Sequence, residues 1–167
     1  VIAVADINAG NLTFVPDGDE NGSPYTTLTF SVNDGDVDST NTGTLTINVT
    51  ADNDAPTTGN AAATTTEDVT LTLTTAAFPF SDVDSGDALE SVTILTLPSD
   101  GTLLLSGNAV SGNDVIAVAD ISAGNLTFVP GADDNGSPYT TLTFSVSDGD
   151  VDSTNTGTLT INVTADN

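Results

Sequence analysis

The sequence predicts an all-β protein in which a β-sandwich is repeated in tandem. Two observations carry this prediction: apolar and polar residues alternate through several short segments, and residues 115–167 nearly duplicate residues 1–53. Thr and Val favour pleated, half-buried surfaces, whereas the Asp, Asn and Gly residues between the alternating segments favour turns. The hydrophobic fraction of 37% is too high for a disordered acidic chain.

The repeat has a period of 114 residues, because Val1 aligns with Val115 and only five of the 53 aligned positions differ. Residues 54–167 therefore form one complete unit, and residues 1–53 form the C-terminal half of the unit before it. We interpret the chain as a window of a longer array; a self-contained pseudo-symmetric protein is the alternative. The substituted pairs are Asn8/Ser122, Asp17/Gly131, Gly18/Ala132, Glu20/Asp134 and Asn33/Ser147.

Within the complete unit, the alternation predicts about seven short strands. The turn residues Pro98-Ser99-Asp100-Gly101 predict a hairpin, and single helical turns are expected at Thr75–Phe78 and Val118–Ile121. This spacing indicates a seven-stranded immunoglobulin-like or cadherin-like β-sandwich. A parallel β-helix is the alternative, but its repeat would be far shorter than 114 residues. The clearest alternating runs are Val69–Leu73, Val92–Leu97, Leu103–Leu105, Leu126–Phe128, Leu142–Val146 and Leu159–Val163.

The composition narrows the possible functions. The chain has 24 acidic residues and no Lys, Arg, His or Cys, so its formal charge of −24 must be neutralised by metal ions, salt or a basic partner. Without basic residues, we expect neither nucleic-acid binding nor attachment to an anionic membrane. No apolar run is long enough to insert into a membrane. Because Ser and Thr have no base partner here, we expect no enzyme.

The acidic residues gather in turns and at the unit boundary, and this clustering predicts calcium sites. Calcium takes six to eight oxygen ligands in flexible geometry, while magnesium keeps its waters and zinc prefers His or Cys. Two alternatives remain: Asp residues that only stabilise turns, and a solvated acidic surface. The clusters are Asp52-Asn53-Asp54, Glu67-Asp68, Asp82-Val83-Asp84 with nearby Asp87, Asp133-Asp134 with its counterpart Asp19-Glu20, and Asp148 to Asp152 with its counterpart Asp34 to Asp38.

A set of motifs spans the whole unit: Asn53-Asp54-Ala55-Pro56, Thr66-Glu67-Asp68, Asp82-Val83-Asp84, Leu97 to Leu103, Leu126 to Pro130, Asp134-Asn135-Gly136, Tyr139 and Phe144 to Gly149. Together they resemble the bacterial cadherin-like repeats of large secreted adhesins and biofilm surface proteins. The resemblance implies an extracellular or cell-surface location and tandem domains that act in adhesion or matrix. In cadherins, calcium between successive domains turns a flexible string into a rod.

The resemblance also implies a ligand set and a function. It implies a structural repeat of an adhesin or extracellular fibre, rigidified by calcium, whose partners are neighbouring repeats of the same chain and copies of itself in a filament. A self-assembling matrix or filament subunit without calcium dependence, and a carbohydrate-binding module, are the alternatives. The chain departs from cadherins in lacking a second Asn before the linker Pro and a Pro after the Asp148-Gly149 turn. The implied junction ligands are Asp19, Glu20, Asp52, Asn53, Asp54, Asp82, Asp84 and Asp148, with Glu67 joined by Asp133 or Asp134 at the C-terminal junction.

Overall fold

The computed structural model describes residues 1–166, and the chain divides between Asp52 and Asn53 into two compact units. No helix in this described part is long and apolar enough to cross a membrane. The first unit contains α1 (Val4–Asn8), β1 (Gly22–Phe30) and β2 (Gly43–Val49). The second unit contains a 3-10 turn (Thr75–Ala77), α2 (Val118–Ser122), β3 (Ala61–Thr66), β4 (Leu71–Thr72), β5 (Ser91–Thr96), β6 (Thr102–Leu105), β7 (Asn108–Ala109), β8 (Val115–Ala117), β9 (Leu126–Val129), β10 (Gly136–Ser147) and β11 (Gly157–Thr164).

The second unit has two sheets that share one hydrophobic core, which confirms the all-β prediction and its sandwich-like character. One sheet has the order β3-β11-β10-β5-β8, with β3 parallel to β11 and the other neighbours antiparallel. The other sheet has the antiparallel order β4-β9-β6-β7. Residues from both sheets enter the same cluster of buried side chains.

The two longest strands of the second unit show why this sequence forms sheets. In residues 142–146 of β10 and 159–163 of β11, every second residue is apolar and buried, and Leu142 lies opposite Leu159. The ring of Phe144 meets Phe78 edge to face, with centroids 5.0 Å apart. Burying one such side chain contributes roughly 1.5–3 kcal/mol, so this stripe of residues anchors the core.

The hairpin predicted at Pro98–Gly101 is wrong. The strands that flank this turn, β5 and β6, lie in different sheets, so the turn is a crossover between layers. The apolar residues of both strands then reach the shared core from opposite sides. Oγ1 of Thr140 accepts hydrogen bonds from the backbone N–H groups of Ser99 (3.1 Å) and Asp100 (3.4 Å), which hold the crossover. Gly101 is required, because its φ is +74° and a Cβ would lie 2.3 Å from the Phe128 ring.

Strand number and extent also differ from the sequence prediction. Residues 61–166 contain nine strands rather than about seven, of which two have only two residues. The run Val69–Leu73 forms only the short β4, and both Val69 and Leu97 are exposed. Strand β3 escaped prediction because its Ala and Thr residues carry little hydrophobic contrast; it pairs with β11 instead. Both predicted helical turns are confirmed.

Nearly identical sequence behaves differently in the two units. The β1–β2 hairpin has the same register as β10–β11, because this pairing is internal to the duplicated segment. Residues 12–15, however, form no strand, whereas their counterparts form β9. The strands that flank β9, which are β4 and β6, come from residues 54–114 of the second unit. The duplicated segment is therefore half of a sandwich.

Candidate metal centre

Three carboxylates converge in the loop before β5. Asp82, Asp84 and Asp87 each place one oxygen within 4.8 Å of the other two. The loop starts from a bridge between Thr57 and Ser81, and the backbone N–H of Asp84 donates to Oδ1 of Asp82 at 3.0 Å. This local bond bends the Asp-x-Asp sequence so that both side chains face the same space. These three aspartates could hold a metal ion.

One oxygen of this cluster is buried without a partner. Oδ2 of Asp82 has no solvent contact and accepts no hydrogen bond from any group in residues 1–166. A buried acceptor left unsatisfied costs about 1–3 kcal/mol, and more when the group is charged. The chain has no Lys, Arg or His that could compensate this charge. The donor set and the orphaned oxygen therefore fit a bound cation.

The first two residues of the second unit, Asn53 and Asp54, bond to the same loops. The backbone N–H of Asp54 donates to Oδ2 of Asp84 at 2.7 Å. The side-chain amide of Asn53 donates to Oδ2 of Asp148 at 3.1 Å and to the backbone carbonyl of Asp54 at 3.0 Å. The N-terminal segment of the second unit thus contacts two acidic loops of its own unit.

The loop between β10 and β11 presents its carboxylate in a fixed orientation. Oδ1 of Asp148 accepts the backbone N–H groups of Asp150 and Val151, both at 2.8 Å. The pKa of Asp148 is lowered, chiefly by the Val151 N–H and further by the Asn53 amide and the Asp150 N–H. Asp148 is therefore ionised and oriented by the backbone before any cation binds.

Asp87 lies close to the negative charges of two loops, the loop before β5 and the loop between β10 and β11. Its pKa is raised, first by partial desolvation and then by repulsion from Asp84, Asp82, Asp148 and Asp150. An acid whose pKa is raised by four like charges lies in a field that attracts cations. We call this region the Asp82 end of the unit; it comprises Asn53, Asp54, Asp82, Asp84, Asp87, Asp148 and Asp150.

Three of the predicted ligands lie at the opposite end of the second unit. Strands β3 and β11 run in parallel from the Asp82 end to Glu67, over about 20 Å at 3.3 Å per residue. There the two carboxylate oxygens of Glu67 accept the backbone N–H of Asp166 (2.8 Å) and the amide of Asn135 (3.1 Å). The backbone N–H of Asp133 donates to Oδ1 of Asp68 at 3.3 Å.

The third ligand predicted at this end, Asp134, has an aromatic neighbour. Its Oδ2 accepts the hydroxyl of Tyr139 at 3.4 Å, and Tyr139 packs edge to face on Phe128. Both carboxylate oxygens of Glu67 and Oδ2 of Asp134 accept hydrogen bonds, whereas Oδ2 of Asp82 accepts none from the described residues. The structure therefore separates the predicted ligands of the second unit into two groups.

The remaining predicted ligands belong to the first unit, which ends at Asp52. Oε2 of Glu20 accepts the hydroxyl of Tyr25 at 2.8 Å, and this bond raises the pKa of Tyr25. Asp19 is exposed and adopts a positive φ of 60°. Asp19 and Glu20 therefore occupy the same turn in the first unit that Asp133 and Asp134 occupy in the second.

The sequence-based ligand set leaves out two residues of the Asp82 end, Asp150 and Asp87, of which only Asp87 belongs to the cluster of three carboxylates. The signal of Asp87 was present, since it lies three residues after Asp84 and directly follows Gly86, whose φ of +110° turns the chain. Comparison of the chain with protein-family models, curated proteins and solved structures finds no match. The geometry and chemistry of the Asp82 end are therefore the guide to what this chain does.

Proposed function

We propose that this chain is a structural repeat of a secreted adhesin or extracellular surface fibre, and that each complete unit binds calcium at its Asp82 end. The observation that carries the proposal is the buried, unpartnered Oδ2 of Asp82 beside the carboxylates of Asp84 and Asp87. The unit itself is proposed to be an immunoglobulin-like, cadherin-like sandwich. Its two sheets around one core support this assignment.

Calcium is the cation that the donor set favours. The ligands would be the carboxylates of Asp82, Asp84 and Asp87, joined by Asp148 and Asp150 from the second loop. All of these donors are oxygens, which suits a hard cation of variable coordination number. Magnesium demands near-ideal octahedral geometry and keeps several waters, and zinc prefers nitrogen and sulfur ligands that the chain lacks. Calcium sites of extracellular modules have dissociation constants of roughly 10⁻⁴–10⁻³ M, and we expect this range here.

The contacts of Asn53 and Asp54 support a mechanical role for the ion. Asn53 and Asp54 precede the first strand of the unit and bond to Asp148 and Asp84, respectively. A divalent cation among these loops would remove the repulsion between their carboxylates and fix the N-terminal segment of the unit against them. Without the ion, the same carboxylates repel one another and loosen that attachment. In a tandem array, this element would recur every 114 residues and stiffen the fibre.

The repetition supports a structural role over a catalytic one. Residues 115–167 repeat residues 1–53 with five substitutions, which suits a surface used for length. The chain has no His, Lys, Arg or Cys to act as base, nucleophile or anion clamp, so we propose no enzymatic activity. The proposed partners are neighbouring repeats of the same chain and other copies of it.

Calcium titration of the full chain tests the proposal. Chain stripped with EDTA is titrated with calcium by calorimetry at constant ionic strength, and its maximum dimension is measured by X-ray scattering. We expect saturable binding, a higher melting temperature and a longer particle. A melting temperature and dimension that calcium leaves unchanged at low salt would refute the proposal.

The duplicated loop offers a matched control for that titration. Asp34 is the counterpart of Asp148, and its Oδ1 accepts the N–H groups of Asp36 and Val37 at 2.9 Å in the same way. Asp148 additionally has the Asn53 amide and the acidic neighbours of the Asp82 end. Asp148→Asn should weaken calcium binding, whereas Asp34→Asn should not. Equal effects of the two substitutions would assign calcium to the turn rather than to the cluster.

A further inference from the structure

The first unit exposes an apolar face whose counterpart in the second unit is fully buried. Seven apolar side chains of the first unit are 43–62% exposed, while the same residues in the second unit are 0–1% exposed. None of the five substitutions between the duplicated segments falls on these positions. The pairs are Ile7/Ile121, Leu12/Leu126, Phe14/Phe128, Leu28/Leu142, Phe30/Phe144, Val32/Val146 and Leu45/Leu159.

In the second unit, residues 54–114 cover this face. They supply Phe78, whose ring packs edge to face on Phe144, and the strands β4 and β6 on either side of β9. They also supply β5, which pairs with β10. The first unit has the hairpin and the helical turn but none of these covering elements. Large apolar side chains left exposed in this number indicate an interaction surface.

A second copy of this chain is a poor occupant, because the numbers of halves do not match. Each copy contains two C-terminal halves, residues 1–53 and 115–167, and one N-terminal half, residues 54–114. That N-terminal half is already packed within its own second unit. Exchange of N-terminal halves between copies would therefore leave one C-terminal half uncovered in every copy.

We infer that the apolar face of the first unit is an acceptor site for the N-terminal half of a further repeat, a segment with the sequence character of residues 54–114. In the completed unit, the Phe78 equivalent packs on Phe30. Residues 12–15 gain strand partners on both sides and become the counterpart of β9. The inference stands on the exposed face and the repeat, and it does not depend on calcium.

A fusion protein tests this inference. A second copy of residues 54–114 is placed directly before Val1 of the full chain, and amide hydrogen exchange is measured by mass spectrometry with and without EDTA. We expect exchange at residues 12–15 and 28–32 to slow by on the order of 100-fold or more, approaching the rates at residues 126–129 and 142–146. The control fusion carries Phe78→Asp in the added copy only, and it should protect these residues far less.

Three outcomes would overturn the inference. Unchanged exchange at residues 12–15 and 28–32 in the fusion would show that the segment does not cover the face. Equal protection by the Phe78→Asp fusion would show that packing on Phe30 plays no part. Protection that rises with concentration in the unfused chain would identify a second copy as the occupant. Protection in the fusion that persists in EDTA, while calcium binding fails, would support the inference and refute the proposed calcium role.

Discussion

Replacing Asp82 by asparagine distinguishes a metal ligand from an ordinary turn residue. The asparagine keeps an oxygen to accept the N–H of Asp84, so the bend of the loop is preserved. It removes one charge and places an amide group at the position of the buried, unpartnered Oδ2. A residue that only shapes the turn would therefore be replaced with little effect.

The expected stabilisation without calcium can be estimated from the structure. At the 4.8 Å limit of the cluster, two unit charges such as Asp82 and Asp84 repel by about 0.9 kcal/mol in water and about 3.5 kcal/mol at an effective dielectric of 20. The cluster is only partly buried, so the lower figure applies. The amide that replaces Oδ2 can donate to the neighbouring carboxylates of Asp84 and Asp87, which relieves the penalty of about 1–3 kcal/mol for an unsatisfied buried acceptor. In EDTA, Asp82→Asn should raise the free energy of unfolding by roughly 1–3 kcal/mol.

Calcium should stabilise the parent chain more than the Asp82→Asn variant. At a calcium concentration 100 times the dissociation constant, binding stabilises the parent chain by about 2.7 kcal/mol. The variant should lose most of this calcium-dependent gain, because it lacks the central ligand. If the Asp82→Asn variant is more stable than the parent chain in EDTA and gains little stability from calcium, Asp82 is a metal ligand.

Urea unfolding measures both quantities. In a Tyr25→Phe background, Tyr139 is the remaining tyrosine, so its fluorescence reports on the unit that contains the cluster. Ionic strength is matched with sodium chloride, since a chain of charge −24 responds to any salt. Asp36→Asn removes the same charge from an exposed loop and serves as the control. Destabilisation by Asp82→Asn in EDTA, or an undiminished calcium response, would refute the reasoning.

Three further predictions concern other parts of the molecule. Leu142→Ala should cost about 2–5 kcal/mol of unfolding free energy, while Leu28→Ala at the duplicated position should cost about 1 kcal/mol or less; equal costs by urea unfolding would contradict the half-sandwich. Because the pKa of Asp87 is raised from the ordinary Asp value, lowering the pH should protonate Asp87 and weaken calcium binding before ordinary Asp carboxylates titrate, and calorimetry at several pH values measures this. Because the pKa of Asp148 is lowered in the folded chain, Asp148 stabilises the fold above its unfolded-state pKa, and this stabilisation is lost as the pH falls through its folded-state pKa. Asp148→Asn should therefore make the melting temperature fall less steeply with acidification. An unchanged dependence of the melting temperature on pH would contradict this prediction.

The sequence predicts the elements whose hydrophobic contrast is strong. The alternation in residues 142–146 and 159–163 identifies β10 and β11, because each second side chain enters the core. The Ala and Thr residues of β3 give no such contrast, so only the pairing with β11 defines that strand. The crossover at Pro98–Gly101 has the residues typical of a hairpin. Only the packing of the two sheets determines that the turn joins different sheets and not two paired strands.

The sequence predicts that acidic residues form the candidate site, but it does not predict which of them lie together in space. The Asp-x-Asp sequence indicates Asp82 and Asp84. Hydrogen bonds of Asn53 with Asp148 and of Asp54 with Asp84 bring the first residues of the unit and the loop between β10 and β11 to the same end. Sequence spacing gives no sign that Glu67 lies at the other end, since that follows from the parallel pairing of β3 with β11. Burial of a single oxygen of Asp82 depends on the packing of the whole unit.

The most direct test of the central claim is a crystal structure of the chain grown in calcium, with anomalous scattering used to locate the ion. The account predicts an anomalous peak at about 2.3–2.6 Å from Oδ2 of Asp82, with Asp84 and Asp87 among the other ligands. A peak located elsewhere, or water alone beside that oxygen at saturating calcium, would contradict it.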